Sequence, residues 1–426
     1  MQLVSRRSRL RGSVLIPASK SHTIRAVAIA ALAEGQSLIR NPLFSGDSEA
    51  AVRCYRALGA EIDTSQENVW KVTGVGGRIV PPQETIDVLN SGTTLRIAMG
   101  SAALAAPDQC TTFTGDDQIQ TRPVGPLMDA LQDLGARCVS LEGNGKAPVR
   151  VWGGLKGGRT SIEAKTSQYL TSLLMCTPLA PQDTEINVTL LNEPGYAQMT
   201  LDWLDKQGIV YENDRMRRFH IKGGQSYKPY HLPVPADFSS ATFFLCAGAL
   251  FGDRVAVRGL DFSDSQPDKA VVDYLRAMGA DIVIDSDGVT IRAGSLKGIE
   301  IDMNATPDAL PAMAVTAAYA EGTTRLVNVP QARMKETDRI ACMAQELAKM
   351  GARVEELPDG LVVHHSKLKA GRLDGRGDHR IVMALSLAAM GLNEPCTIDT
   401  AEAIAVTFPE FVNLMRSIGA DMKLLA

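Results

Sequence analysis

The sequence predicts an α/β protein of two similar domains, each built from three copies of one strand–helix–strand–helix–strand–strand unit. Three observations carry this reading. A Gly-Ala type of helix ending returns six times at near-constant spacing, a helical run of small apolar residues accompanies each return, and a proline-rich break divides the copies three and three.

The endings are Leu58-Gly59-Ala60, Leu134-Gly135-Ala136, Gln207-Gly208-Ile209, Met278-Gly279-Ala280, Met350-Gly351-Ala352 and Ile418-Gly419-Ala420, with their glycines 76, 73, 71, 72 and 68 residues apart. Glycine suits the position just past a helix, where positive φ is cheap only without a Cβ. An amphipathic stretch such as Val271 to Met278 precedes each ending, and a short alternating strand follows most. Asp287-Gly288 and Asp359-Gly360 add hairpin signals. The accompanying apolar runs are 26–32, 96–104, 170–179, 241–250, 310–319 and 381–390. They are apolar nearly all round, so they are expected to be buried, and their alanines and glycines allow close packing.

Six such units over 426 residues, 45% of them hydrophobic, exceed one ordinary core. The segment Lys228-Pro229-Tyr230-His231-Leu232-Pro233-Val234-Pro235 reads as the hinge. The expected division is 20–235 for the first domain and 1–19 with 236–426 for the second, the N-terminal stretch crossing back as a strand. Arg6, Arg7, Arg9 and Arg11 could imitate a transit peptide, but they run into the strand-like Ser13-Val14-Leu15-Ile16 and are read as part of the fold.

A net charge of −4 argues against a bulk nucleic-acid binder, and no apolar run reaches the ~18–20 residues of a membrane span. Seven scattered cysteines without a CxxC pair point to free thiols and a cytoplasmic setting. No His/Cys/Asp spacing resembles a metal site and no glycine-rich nucleotide loop appears, so neither metal nor cofactor is expected.

Chemistry concentrates at the starts of the apolar helices: Ser19-Lys20-Ser21-His22, Asn90-Ser91-Gly92-Thr93, Thr166-Ser167-Gln168, Asp237 to Ser240, Thr306-Pro307-Asp308 and Asp378-His379-Arg380. Capping explains most of the hydroxyls and carboxylates. It does not explain Lys20 or Arg380, because a cation at a helix start opposes the macrodipole. Arg25, Arg96, Arg122 and Arg339 add four more cations at or near helix starts. Free N–H groups and guanidinium forks together predict a pocket for an anion bearing phosphate or carboxylate. Asp308 and Glu336 are the candidate proton-transfer groups in such surroundings.

Several motifs carry a family resemblance: Pro17-Ala18-Ser19-Lys20-Ser21 with Arg25-Ala26, Asn90-Ser91-Gly92-Thr93 with Arg96, Thr121-Arg122-Pro123, Ser167-Gln168-Tyr169, Pro307-Asp308, Arg333-Met334-Lys335-Glu336-Thr337-Asp338-Arg339 and Asp378-His379-Arg380. In this order they resemble the 5-enolpyruvylshikimate-3-phosphate synthase family over essentially the whole chain. The resemblance implies an inside-out α/β barrel fold, the enolpyruvyl transferase fold, of two domains that close on substrate. It implies transfer of the enolpyruvyl group of phosphoenolpyruvate to the 5-hydroxyl of shikimate 3-phosphate, with no cofactor, by a monomer. Lys20, Asp308 and Glu336 would be catalytic. Lys20, Ser21, Arg25, Thr166, Ser167, Gln168, Tyr196, Asp308, Gln331 and Lys335 would bind shikimate 3-phosphate. Lys20, Asn90, Gly92, Arg122, Gln168, Arg339 and Arg380 would bind phosphoenolpyruvate, supported by Asp47, Thr93 and Arg96.

Three positions depart from the family pattern. Val406 stands where many members carry a lysine touching phosphoenolpyruvate, which implies a changed affinity for that substrate, and Ile97 stands where proline is common, which implies an altered response to glyphosate. Glu193 lies near Tyr196 where some members have a serine on the substrate phosphate, and it is expected to point away from that phosphate. Two rival readings are a UDP-N-acetylglucosamine enolpyruvyl transferase, which the cysteine-free loop Asp116–Arg122 disfavours, and a non-catalytic ligand-binding paralogue, for which Val406 is the best support.

Overall fold

The computed structural model describes all residues from Met1 to Ala426. Packing gathers them into two units, one formed by Ala18–Val234 and the other by Met1–Pro17 with Pro235–Ala426.

The Ala18–Val234 unit contains α1 (Lys20–Leu32), α2 (Gly46–Ala57), α3 (Gly92–Ala102), α4 (Gly125–Asp133), α5 (Ser167–Cys176) and α6 (Pro194–Gln207). The helices α1, α3 and α5 come from the runs of small apolar residues. All of α3 and everything from His22 onward in α1 is buried, as a helix without a polar face must be. In contrast, α4 buries one stripe, Leu127, Met128, Ala130 and Leu131. These helices begin earlier than the apolar runs suggest. The first turn of α1 is Lys20 to Thr23, polar residues capped by Ser19, whose hydroxyl accepts from the His22 amide.

Three four-stranded sheets complete this unit. In one, Gly158–Ala164 runs parallel to Thr184–Leu191, with α5 as the crossover between them. After α6 the hairpin Tyr211–Asp214 and Arg218–Ile221 folds back, and its second strand pairs antiparallel with Thr184–Leu191. This is the strand–helix–strand–helix–strand–strand unit read from the sequence.

The second unit repeats the plan with α7 (Phe238–Phe251), α8 (Ala270–Ala277), α9 (Leu310–Tyr319), α10 (Arg339–Lys349), α11 (His379–Ala389) and α12 (Phe411–Ser417), again with three four-stranded sheets. Its core holds a phenylalanine cluster. Phe243, Phe244, Phe408 and Phe411 meet in tilted and edge-on pairs 5.8–6.2 Å apart, worth roughly 0.5–1.5 kcal/mol each beyond the area they bury. The glycines of the six helix endings all have positive φ, between 70° and 105°.

The structure refines the reading of the hinge and of the N-terminus. Part of the proline-rich segment is a strand: His231–Pro233 lies parallel to Glu34–Arg40 and supplies the first strand of the α1 sheet. It occupies the sheet edge, where a proline lacking an N–H is tolerated. The N-terminal stretch supplies two strands instead of one. Gln2–Arg6 pairs between Cys396–Asp399 and Asp421–Leu425, and Leu10–Leu15 lies parallel to Gly252–Arg258.

Candidate active site

In the Ala18–Val234 unit the starts of α1, α3 and α5 carry most of the expected binding residues. Lys20 opens α1, and its Nζ lies 3.0 Å from the Asp47 carboxylate in the first turn of α2. The charge that opposes the α1 dipole is thus offset by a buried acid, itself favourably placed at a helix start. Arg25 is buried one turn further on. It donates to the Ser21 carbonyl at 3.0 Å, the Tyr196 carbonyl at 2.9 Å, and the Thr200 and Thr171 hydroxyls at 3.0 and 3.3 Å. With neutral oxygens for partners, burial lowers its pKa to about 10.

Arg96 ties α3 to its neighbours. Its Nη1 donates to Gln168 Oε1 at 2.6 Å, its Nη2 to the Pro123 carbonyl at 3.1 Å, and the guanidinium lies over the Tyr169 ring. Gln168 in turn donates to Thr93 Oγ1 at 3.1 Å, and Arg122 Nη2 donates to Asn90 Oδ1 at 3.4 Å. Gly92 sits between the two arginines: a Cβ there would stand 2.7 Å from Arg96 Nη1 and 2.8 Å from Arg122 Nη1. Burial lowers the Arg96 pKa, and the positive charge of Arg122 contributes to the fall. Asn90, Gly92, Thr93, Arg96, Arg122 and Gln168 therefore form one connected cationic group at the start of α3, matched to an oxyanion.

At the start of α5, Ser167 and Thr166 meet a carboxylate. Glu193 has a left-handed backbone, with φ 59°, and is buried. Its Oε2 accepts from Ser167 Oγ at 2.8 Å, the Ser167 amide at 3.3 Å and Thr166 Oγ1 at 3.4 Å. This runs against the expectation that Glu193 points away from the substrate phosphate, since Thr166 and Ser167 are among the residues expected to bind that substrate. Three donors at the start of α5 hold it there.

In the second unit Arg339 is the centre. It opens α10 and is buried, yet touches three carboxylates. Its Nε donates to Asp378 Oδ2 at 2.8 Å, its Nη1 to Asp308 Oδ1 at 2.7 Å and its Nη2 to Glu336. Burial acts to lower its pKa, but Asp378, Glu336 and Asp308 outweigh that and raise it above the ordinary arginine value. Asp308 is shared among cations: Arg380 Nη2 lies 3.0 Å from its Oδ2, and Lys335 Nζ lies 3.9 Å from its Oδ1. Gln331 donates to the Asn304 carbonyl at 2.8 Å, and its own Oε1 is buried without a hydrogen bond.

Sequence reasoning missed two supports of this cluster. Asp378 was legible as the N-cap of α11, where it accepts from the Arg380 amide at 2.9 Å, but it also holds Arg339 and accepts from Thr337 Oγ1 at 3.1 Å. Arg333 straps the Lys335-Glu336 loop, donating to Asp338 at 2.6 Å and to the Leu357 and Pro358 carbonyls at 2.7 and 2.8 Å. The Arg333 to Arg339 motif was the available signal for it. Of the departures, Ile97 packs in the core and Val406 ends a half-buried 3-10 turn, Ala401–Val406.

The model of the EPSP synthase (3-phosphoshikimate 1-carboxyvinyltransferase) family matches residues 4–415. The chain is 52% identical over 423 residues to the 3-phosphoshikimate 1-carboxyvinyltransferase of Acetivibrio thermocellus, with 99% of each chain covered. It is 49% identical over 425 residues to that of Ruminiclostridium cellulolyticum, with both chains covered in full. A solved structure of EPSP synthase from Acinetobacter baumannii superposes over the full length of both chains with a TM-score of 0.84 at 25% identity.

Proposed function

The chain belongs to the EPSP synthase family, and on that premise we propose how its residues divide the work of 3-phosphoshikimate 1-carboxyvinyl transfer. The acceptor is shikimate 3-phosphate and the donor phosphoenolpyruvate. Asp308 accepts the proton of the acceptor 5-hydroxyl as that oxygen attacks C2 of phosphoenolpyruvate. Glu336 delivers a proton to C3, and Lys20 assists proton transfer at the hydroxyl or the leaving group. Glu336, now a carboxylate, then takes a proton back from C3 of the tetrahedral adduct as the C2–O bond to phosphate breaks, so inorganic phosphate leaves and the enol ether forms.

Ser21, Arg25, Thr166, Ser167, Gln168, Tyr196, Gln331 and Lys335 are assigned to shikimate 3-phosphate. Asn90, Gly92, Arg122, Gln168, Arg339 and Arg380 are assigned to phosphoenolpyruvate. Fixed cations facing a multiply charged substrate pair supply the main catalytic stabilisation.

One observation supports treating Asp308 and Glu336 as one paired site most directly. A single buried guanidinium, that of Arg339, holds Asp308 and Glu336 together. No helix is long and apolar enough to cross a membrane, and all seven cysteines are free thiols. The free thiols fit the proposed setting, the reducing cytoplasm, where the chain is proposed to act as a monomer. The test is phosphate release with both substrates. Asp308→Ala and Glu336→Gln are expected to lose at least ~100-fold in kcat while keeping the native circular dichroism spectrum. Near-normal rates in both would remove the assignment.

A further inference from the structure

Helix α5 begins at Thr166, yet Thr166 makes no side-chain hydrogen bond to the first turn. The cap is supplied from elsewhere, by Glu193 at the start of α6. Its Oε2 takes the Ser167 amide, the Ser167 hydroxyl and the Thr166 hydroxyl. Pro194 follows in the first position of α6, and Glu193 itself adopts the left-handed backbone that few residues other than glycine take. The carboxylate is therefore held on this helix start by a turn whose geometry is locally costly.

These donors are the ones assigned above to the phosphate of shikimate 3-phosphate, and the inference rests on that assignment. A serine hydroxyl has one hydrogen, and so does a backbone amide. Hydrogens given to Glu193 are not available to phosphate oxygens. Both groups are acceptors, and both carry negative charge. A phosphate dianion beside an ionised carboxylate in a site this dry would repel it strongly.

We propose that Glu193 is an internal competitor for the substrate phosphate: it occupies the start of α5 in the free protein and has to release Ser167 and Thr166 before that phosphate can bind. Glu193 then sets affinity for the phosphorylated acceptor specifically. It keeps the helix start satisfied when no substrate is present, and it discriminates against weaker anions that cannot displace it. A purely structural capping role makes the opposite prediction, since loss of the cap would loosen α5 and weaken binding.

The test is calorimetric titration of the wild-type protein, Glu193→Gln and Glu193→Ser with shikimate 3-phosphate and with shikimate. Removing the charge is expected to tighten shikimate 3-phosphate binding at least ~10-fold and to move shikimate binding less than ~3-fold. Unchanged or weaker shikimate 3-phosphate binding by a variant that melts like the wild type would overturn the proposal. A second readout needs no variant. In a structure of the wild-type complex, the Glu193 carboxylate should lie beyond about 3.5 Å from Ser167 Oγ, with phosphate in its place. A carboxylate still bonded to Ser167 beside bound substrate would overturn it equally. A wild-type protein that binds no shikimate 3-phosphate would instead remove the underlying assignment.

Discussion

Replacing Arg339 with glutamine takes one guanidinium from among three carboxylates. In the native protein this side chain is 1% exposed, and its three nitrogens reach Asp378, Asp308 and Glu336. Removing one member of a buried ion pair costs about 3–5 kcal/mol, because the groups left behind stay out of water without their counter-charge. For a domain of this size each kcal/mol is worth about 2–4 °C, so melting of the Pro235–Ala426 unit should fall by about 6–20 °C.

The pH dependence gives a sharper test. Carboxylates crowded together without Arg339 bind protons more readily in the folded variant than in the unfolded chain. The deficit relative to wild type is then largest where unfolded carboxylates are ionised, and it shrinks as pH falls toward about 5. Urea unfolding of both proteins at about pH 8 and about pH 5 measures it. A deficit below about 1 kcal/mol, or one equal at the two pH values, would refute the view that Arg339 neutralises a buried acidic cluster.

Gly92→Ala should weaken phosphoenolpyruvate binding while sparing shikimate 3-phosphate, because a Cβ there displaces the Arg96 and Arg122 guanidiniums; the ratio of the two KM values reads this out. His379 is buried, and burial lowers its pKa from 6.5 to about 3 despite the pull of Asp378 and Glu336. Its stabilising effect is complete above pH 6.5 and is lost as pH falls toward 3, reaching a loss of about 2 kcal/mol by pH 5. His379→Asn should flatten the stability profile between about pH 7 and 5, and parallel profiles would contradict the buried neutral imidazole. Cys176 and Cys246 are buried with thiols pushed up to about 12, whereas Cys110 is partly exposed. Iodoacetamide followed by peptide mass spectrometry should therefore label Cys110 first, and early labelling of Cys176 or Cys246 would count against the packing described.

The parts of the fold that were legible in the sequence are those fixed locally. A glycine with positive φ just past a helix, as at Gly59 or Gly419, declares itself from neighbouring residues alone. So does a helix such as α7, apolar on every side. The pairing of His231–Pro233 with Glu34–Arg40 was hidden, because its partner lies almost the whole unit away and its prolines read as a break. The candidate site divides similarly. Lys20, Arg25 and Arg339 stood out as cations at or near helix starts, where positive charge is costly, and Asp308 as a carboxylate in cationic surroundings. Asp378 was masked by its own capping role, since nothing local reveals that the same carboxylate also holds Arg339. The direction taken by Glu193 depends on donors at Thr166 and Ser167, which only tertiary structure brings to it.

The strand Gln2–Arg6 lies between Cys396–Asp399 and Asp421–Leu425. During synthesis Gln2–Arg6 must therefore wait for Asp421–Leu425 before their sheet can close, while the Ala18–Val234 unit has its sequence complete much sooner. Pairing across so long an interval makes assembly of that sheet slow and leaves an edge exposed to wrong partners in the meantime. Joining the two ends through a short linker and opening the chain between Val234 and Pro235 would turn each unit into one uninterrupted stretch. A ribosome could then finish one before starting the other.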